Sequence, residues 1–286
     1  MCFSYVILSM KLKKSYKKAL FAIGFMLCMI PQVLVAQTQK PKNLIMYDTE
    51  PYHFGFILAI NQMSYSFDFV DNYQFIPHHS SEYPDHMDVH FTPEATYYML
   101  SIEPIYQPGF TVGVVGNLRL GKYFDLRLIP SLSFGTRTIK YYMYRDAYFL
   151  EDHQKLIEEK KSIFSTFIEF PLHVKYKSKR LNNVAAYVIA GGNFKVDLAS
   201  QKKWDIDIQN PQGQPMTVTN NIRVKKIDVA AEIGAGFDFY TSYFKLGIEA
   251  KMSFGPLNVL DSQNLIYDSS IENLQNRTFQ LSLTFE

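Results

Sequence analysis

The sequence predicts an all-β fold, an eight-stranded antiparallel up-and-down transmembrane β-barrel with long extracellular loops and short periplasmic turns. Three observations predict it. Segments of about ten residues alternate apolar and polar side chains with period two. The connections between them alternate long and short. The chain opens with a segment built for export. The composition agrees: aromatics reach 15%, with 20 Tyr and 23 Phe but only 1 Trp. Strands favour such residues, and so do the interfaces of a membrane barrel. A soluble β-sandwich can carry the same composition.

The export segment comes first. Lys11, Lys13, Lys14, Lys17 and Lys18 form a basic stretch, Ala19 to Val35 is an apolar run broken by Pro31 and Gln32, and Ala36-Gln37 offers a cleavage site. This is the layout of a secretory signal peptide over residues 1–36, with Met10 as an alternative start. The run is shorter than the ~20 residues a spanning helix needs. Leu27 precedes Cys28, where lipoprotein processing wants a small residue. Cleavage would remove Cys2 and Cys28, leaving a mature chain without thiols. It would also remove five lysines and no acids, turning 29 basic against 27 acidic residues into 24 against 27, a net of −3. The basic pI therefore gives no reason to expect nucleic acid as a partner. Residues 37–51 then read as a periplasmic N-terminal segment and 52–286 as the barrel.

Eight strands follow in order. In 53–61, Phe54, Phe56, Leu58 and Ile60 share one face. In 109–120 the apolar face is Phe110, Val112, Val114, Leu118 and Leu120. In 124–135 it is Phe124, Leu126, Leu128, Leu132 and Phe134. Ile168, Phe170, Leu172, Val174 and Tyr176 oppose Glu169, His173, Lys175 and Lys177. Val188, Ala190, Phe194 and Val196 oppose Tyr187, Asn193, Lys195 and Asp197. Val229, Ile233, Phe237 and Phe239 oppose Asp228, Glu232, Gly234, Gly236 and Asp238. Phe244, Leu246, Ile248 and Met252 oppose Lys245, Gly247, Glu249 and Lys251. Phe279, Leu281, Leu283 and Phe285 close the chain, and a terminal aromatic suits barrel assembly. Connections 70–105, 141–162, 199–226 and 256–275 are long; those at Gly121-Lys122, Lys179–Asn183 and Thr241-Ser242 are short. That rhythm is the one of outer-membrane barrels.

The polar faces carry Asp125, Arg127, Glu169, Lys175, Lys195, Asp197, Glu232, Asp238, Lys245, Glu249 and Lys251. A soluble barrel would turn these charges to water. A membrane barrel turns them inward, and the leader, the loop rhythm and the last strand favour that arrangement. Eight strands enclose only enough room for their own side chains. The charges then form a structural network of nearly balanced sign, because an unpaired buried charge is costly. A proton or ion path is the competing role.

Several of these segments resemble the PorT family. Tyr47-Asp48 with Pro51-Tyr52-His53-Phe54-Gly55-Phe56 is similar to that family's approach to its first strand. So are Gly121-Lys122-Tyr123-Phe124-Asp125-Leu126-Arg127 and Ser165-Thr166-Phe167-Ile168-Glu169-Phe170-Pro171-Leu172, running on through Lys175-Tyr176-Lys177-Ser178-Lys179-Arg180. Gly234-Ala235-Gly236-Phe237-Asp238-Phe239-Tyr240 and Tyr243-Phe244-Lys245 complete the set. The resemblance spans most of residues 42–286 and implies an outer-membrane barrel of the Bacteroidetes type IX secretion system. Such a protein helps export cargo bearing C-terminal sorting domains, and in some species supports gliding motility. Its implied partners are outer-membrane lipid and other envelope proteins of that system. It implies no catalytic residues and no small-molecule substrate.

Three further clusters draw attention. His78, His79, His86 and His90 lie with Glu82, Asp85 and Asp88 in the first long connection, as metal ligands or as a solvated loop. Tyr148 to Lys161 has Phe149, Leu150, His153, Leu156 and Ile157 at helical spacing, which suggests a short rim helix. Tyr73, Phe75, Tyr83, Phe91, Tyr97 and Tyr98 could form a contact surface or cap the barrel. No phosphate loop, Gly-x-Ser-x-Gly elbow or His-Glu-x-x-His motif occurs, so the reading is non-enzymatic, and nothing calls for a cofactor. The competing function is a barrel whose long loops bind an extracellular ligand or surface.

Overall fold

The computed structural model describes residues 41–79, 95–147, 154–199, 205–209, 215–219, 222–262 and 266–286. The chain divides into two compact units, Met1–Lys42 and Asn43–Glu286, and the second is the barrel. The leader expected over residues 1–36 lies outside the described residues.

Alternating residues make strands. They are β1 (Tyr52–Phe69), β2 (Pro77–His79), β3 (Thr96–Ile105), β4 (Gln107–Arg119), β5 (Phe124–Leu128), β6 (Ser131–Asp146), β7 (Gln154–Lys177), β8 (Val184–Asp197), β9 (Asp205–Gln209), β10 (Pro215–Thr219), β11 (Ile227–Tyr240), β12 (Lys245–Phe254) and β13 (Ile271–Phe285). β9 and β10 pair with each other as a separate hairpin. The other eleven form one antiparallel sheet. β3 runs on into β4 and β5 into β6, and short β2 flanks β3, so these eleven strands make eight staves. The sheet closes because β1 pairs with β13 on one side and β4 on the other. Closure leaves no edge in the hydrocarbon, where an unpaired amide would be costly.

Local sequence explains the breaks within staves. Pro130 has no N–H to give and separates β5 from β6, while its carbonyl accepts from Val114 N at 3.0 Å. A bulge at Leu100 shifts the β3–β6 register between Met99 and Ser101, so that Met99 and Ile102 both face inward.

The outer wall is apolar. Phe54, Phe56, Leu58 and Ile60 on β1 are exposed, as are Phe170, Leu172, Val174 and Tyr176 on β7 and Phe279, Leu281 and Leu283 on β13. A soluble protein rarely shows a contiguous apolar patch beyond a few hundred Å². A wall apolar all the way round is suited to lipid instead.

The staves are taller than their alternation suggests. β7 has 24 residues, where about 9–11 cross a bilayer. On β7 the outward residues from Tyr176 up to Phe164 are apolar except Thr166, then become Ser162, Lys160 and Glu158. The inward residues pass from Glu169 and Ser165 to Ile163 at the same height, with Lys161 buried above it 4.5 Å from the Tyr267 ring centroid. β6 does likewise: Arg137 is the last inward charge before Ile139, Tyr141 and Met143. The wall leaves lipid there and enters water, so the binary pattern inverts. This corrects the short rim helix expected near 148–161. Residues 154–161 are β7 strand, and residues 148–153 lie outside the described residues.

Candidate functional site

The barrel's inner face is the site. Period two turns every second side chain into the lumen, and all eleven charges named from the sequence are there, none more than 4% exposed. Near the short-turn end, Arg127 Nη1 meets Glu249 Oε2 at 2.8 Å and Nη2 lies 3.7 Å from Glu286 Oε1. Lys245 Nζ reaches Glu286 Oε2 at 2.8 Å, and Lys175 Nζ reaches Asp238 Oδ2 at 2.7 Å over the Tyr187 ring. Asp125 pairs with Lys177 at 2.9 Å.

Higher up, Glu232 gathers three donors. His173 Nε2 and Lys251 Nζ lie 2.7 and 2.8 Å from its Oε2, and Asn193 Nδ2 donates to Oε1 at 2.8 Å. Lys195 donates to Ser253 Oγ at 2.9 Å and faces Glu169 at 3.9 Å. The top rung is Arg137. It donates to Ser165 Oγ and Asn276 Oδ1 at 2.7 Å each and pairs with Asp197 at 2.5 Å. The rings of Tyr65 and Phe167 each lie 4.9 Å from its guanidinium carbon. Asn276 then donates to Asp228 at 2.8 Å. These rungs cross the lumen: residues 127 and 249 are joined, and 137 and 276.

Above the rungs the lumen is mostly apolar, with Lys161 and Asp268 buried within it. Tyr97, Met99, Ile139, Tyr141, Met143 and Ile163 of the tall staves pack against Ile222, Val224, Val259, Leu260, Ile266 and Tyr267 of the connections. A bridge between Val224 and Leu260 ties two of those connections together. Burial, then the charge of Asp268, holds the Tyr141 phenol well above its usual range. At the other end, residues 43–50 lie across the mouth. Asn43 N donates to Asn183 Oδ1 at 2.9 Å, Tyr240 Oη to Asp48 at 3.2 Å, and Tyr47 Oη to Glu286 Oε2 at 2.9 Å. Arg180 donates to the Asn43 carbonyl, and Tyr47 stacks on His53 at 3.6 Å. Burial, then Glu286, pushes the Tyr47 phenol up.

An apolar outer wall and a polar, filled lumen are the inverse of a soluble barrel. The sequence profile of the outer membrane protein beta-barrel domain family matches residues 35–261, most of the chain. The chain belongs to that family. No curated protein sequence matches it. Among solved structures, neisserial surface protein A is similar at 9% identity and TM-score 0.37, covering 82% of this chain and 99% of that one. OprG from Pseudomonas aeruginosa is similar at 6% identity and TM-score 0.38, covering 87% and 96%. Ail of Yersinia pestis is similar at 12% identity and TM-score 0.29, covering 82% and 98%. The family places the barrel in the outer membrane, in contact with its lipid.

The remaining candidates of this outer-membrane barrel are dispersed. His78 is buried beside Ser269, 3.5 Å away, and His79 Nδ1 lies 3.0 Å from Thr96 Oγ1. His86, His90, Glu82, Asp85 and Asp88 lie outside the described residues. Among the described residues no group of three or more His, Cys, Asp or Glu could hold a metal ion. Tyr97 is buried in the apolar plug and Phe75 is 77% exposed, while Tyr83 and Phe91 lie outside the described residues. Arg137, Glu286 and Lys177 are lumen charges the sequence reading did not single out. Arg137 was findable: it continues the inward phase of Ser131, Ser133 and Gly135.

Proposed function

We propose that this outer-membrane barrel is non-conducting and non-enzymatic and works by contact with other envelope proteins. The observation that supports this reading is the occupied lumen: ionic rungs through its membrane span, an apolar plug above, and residues 43–50 across the mouth below. Such a lumen leaves the rims and the outer wall as working surfaces. The eleven lumen charges are in this reading structural.

The segment resemblance to PorT supports a finer assignment, a component of the type IX secretion system needed to export sorting-domain cargo. Deletion with plasmid complementation tests it. Cargo held in the periplasm, and released on complementation, is expected; normal export rules the secretion role out. The tall extracellular staves favour a second reading, a barrel that binds an external ligand or surface. Crosslinking in intact cells separates the two: secretion machinery is captured under the first, extracellular matter alone under the second.

A further inference from the structure

Above the Met63–Gln107 rung the first two staves part. β1 continues upward on β13, and β3 follows β6. At the foot of this fork the outer wall holds a cavity of about 280 Å³. Its lining changes character with height. Met252 and Phe279 belong to the apolar band, 48% and 45% exposed. Gln62, Ser64, Tyr106 and Arg277 are polar or amphipathic and lie at and above the band's edge. The cavity therefore straddles the depth where acyl chains give way to headgroups.

Arg277 is the unusual member. It faces outward on β13, two residues beyond Phe279, and so reaches the bilayer surface rather than the lumen. Its Nη2 donates to Gln275 Oε1 at 3.1 Å, and its guanidinium carbon lies 5.1 Å from the Phe254 ring. It forms no ion pair among the described residues, and no carboxylate lines the cavity. The lumen cations, by contrast, face carboxylates. A guanidinium keeps its charge at any accessible pH and offers five donors in a fork that fits phosphate.

We propose that this cavity binds the phosphorylated headgroup of an outer-leaflet lipid. Arg277 takes the phosphate in a bidentate grip. Gln62, Ser64 and the Tyr106 hydroxyl hold the remaining headgroup oxygens, and the acyl chains descend past Phe279 and Met252. The inference rests on the barrel's place in the outer membrane and is independent of the secretion reading.

The full barrel, refolded from denaturant into a neutral detergent, is titrated with bis-phosphorylated lipid A and followed by native mass spectrometry. Dephosphorylated lipid A and inorganic phosphate are the comparison probes. One lipid A per barrel is expected. Dephosphorylation, or Arg277→Gln, should each weaken binding by about tenfold or more, one charge-assisted hydrogen bond being the least that a bidentate contact loses. The two losses should not add, because they remove the two halves of one contact. Equal binding by Arg277→Gln, equal binding of the dephosphorylated lipid, or additive losses would overturn the proposal. Inorganic phosphate binding as tightly as lipid A would overturn the lipid source. Should Arg277→Gln not fold, the two lipid forms on the unaltered barrel still decide.

Discussion

Arg137 has ring faces on both sides and a hydrogen-bond acceptor or carboxylate at each of Nε, Nη1 and Nη2. Arg137→Met would remove from buried Asp197 the guanidinium that pairs with its Oδ2. Breaking a buried pair in this way costs about 3–5 kcal/mol. Urea unfolding of the barrel in lipid vesicles should show that loss, with Arg137→Met/Asp197→Leu recovering most of it. A loss under about 1 kcal/mol would mean the pair behaves as a solvated one. Gly247 makes a different residue-scale case. A Cβ there would lie 2.2 Å from Thr284 Oγ1 and 3.2 Å from Asp238 Oδ1. Overpacking of this kind costs about 1–3 kcal/mol. Thr284 Oγ1 has no hydrogen-bond partner and its Cβ would be an ordinary 3.6 Å away. Gly247→Ala should therefore destabilise the barrel, and Thr284→Ala should rescue it in the same unfolding assay.

The staves carry the two solvents in their patterning. Ile233 lies mid-strand on the outward face of β11 and is 59% exposed, so it meets acyl chains. Arginine at such a depth costs about 2–4 kcal/mol, falling toward zero near the interface. Ile233→Arg should lose that much in vesicle unfolding, and Ser162→Arg on β7 should lose little. A similar loss at both positions would remove the band from where the exposed residues put it. The same patterning fixes which part of β7 stands in water. Lys160→Cys should react with a membrane-impermeant maleimide on intact cells, whereas Tyr243→Cys, in a short turn, should react only after the outer membrane is opened. The reverse result would turn the barrel upside down.

Across the whole molecule, ionic rungs, plug and mouth segment occupy the lumen among the described residues. Among the described residues several lumen atoms, including His173 Nδ1 and Asn193 Oδ1, have no protein partner. Polar sites of that kind take single ordered waters, which do not make a channel. Reconstituted in planar bilayers, the barrel should show no steady conductance. A reproducible open state would mean that the lumen network rearranges and that the charges serve a path.

The fold class, the outward band and the burial of the eleven charged residues were legible in the sequence because period two is local: each strand states its own faces. The extent of the staves was not legible. On β6 the inward series runs Ser131, Ser133, Gly135, Arg137 and then Ile139, Tyr141, Met143. In sequence that change reads as the end of a strand; in space it is the strand crossing from lipid into water. On β7 the same crossing put Leu156 and Ile157 beside a charged run and imitated a helix. Which polar groups meet was also beyond the sequence, because Arg127 and Glu249, or Arg137 and Asn276, come together only when the sheet closes. So was Glu286, whose place in the lumen follows from β13 pairing with β1. Alternation along a strand is written residue by residue. Contacts across a lumen depend on curvature and register summed over eight staves, and only the closed structure sets them.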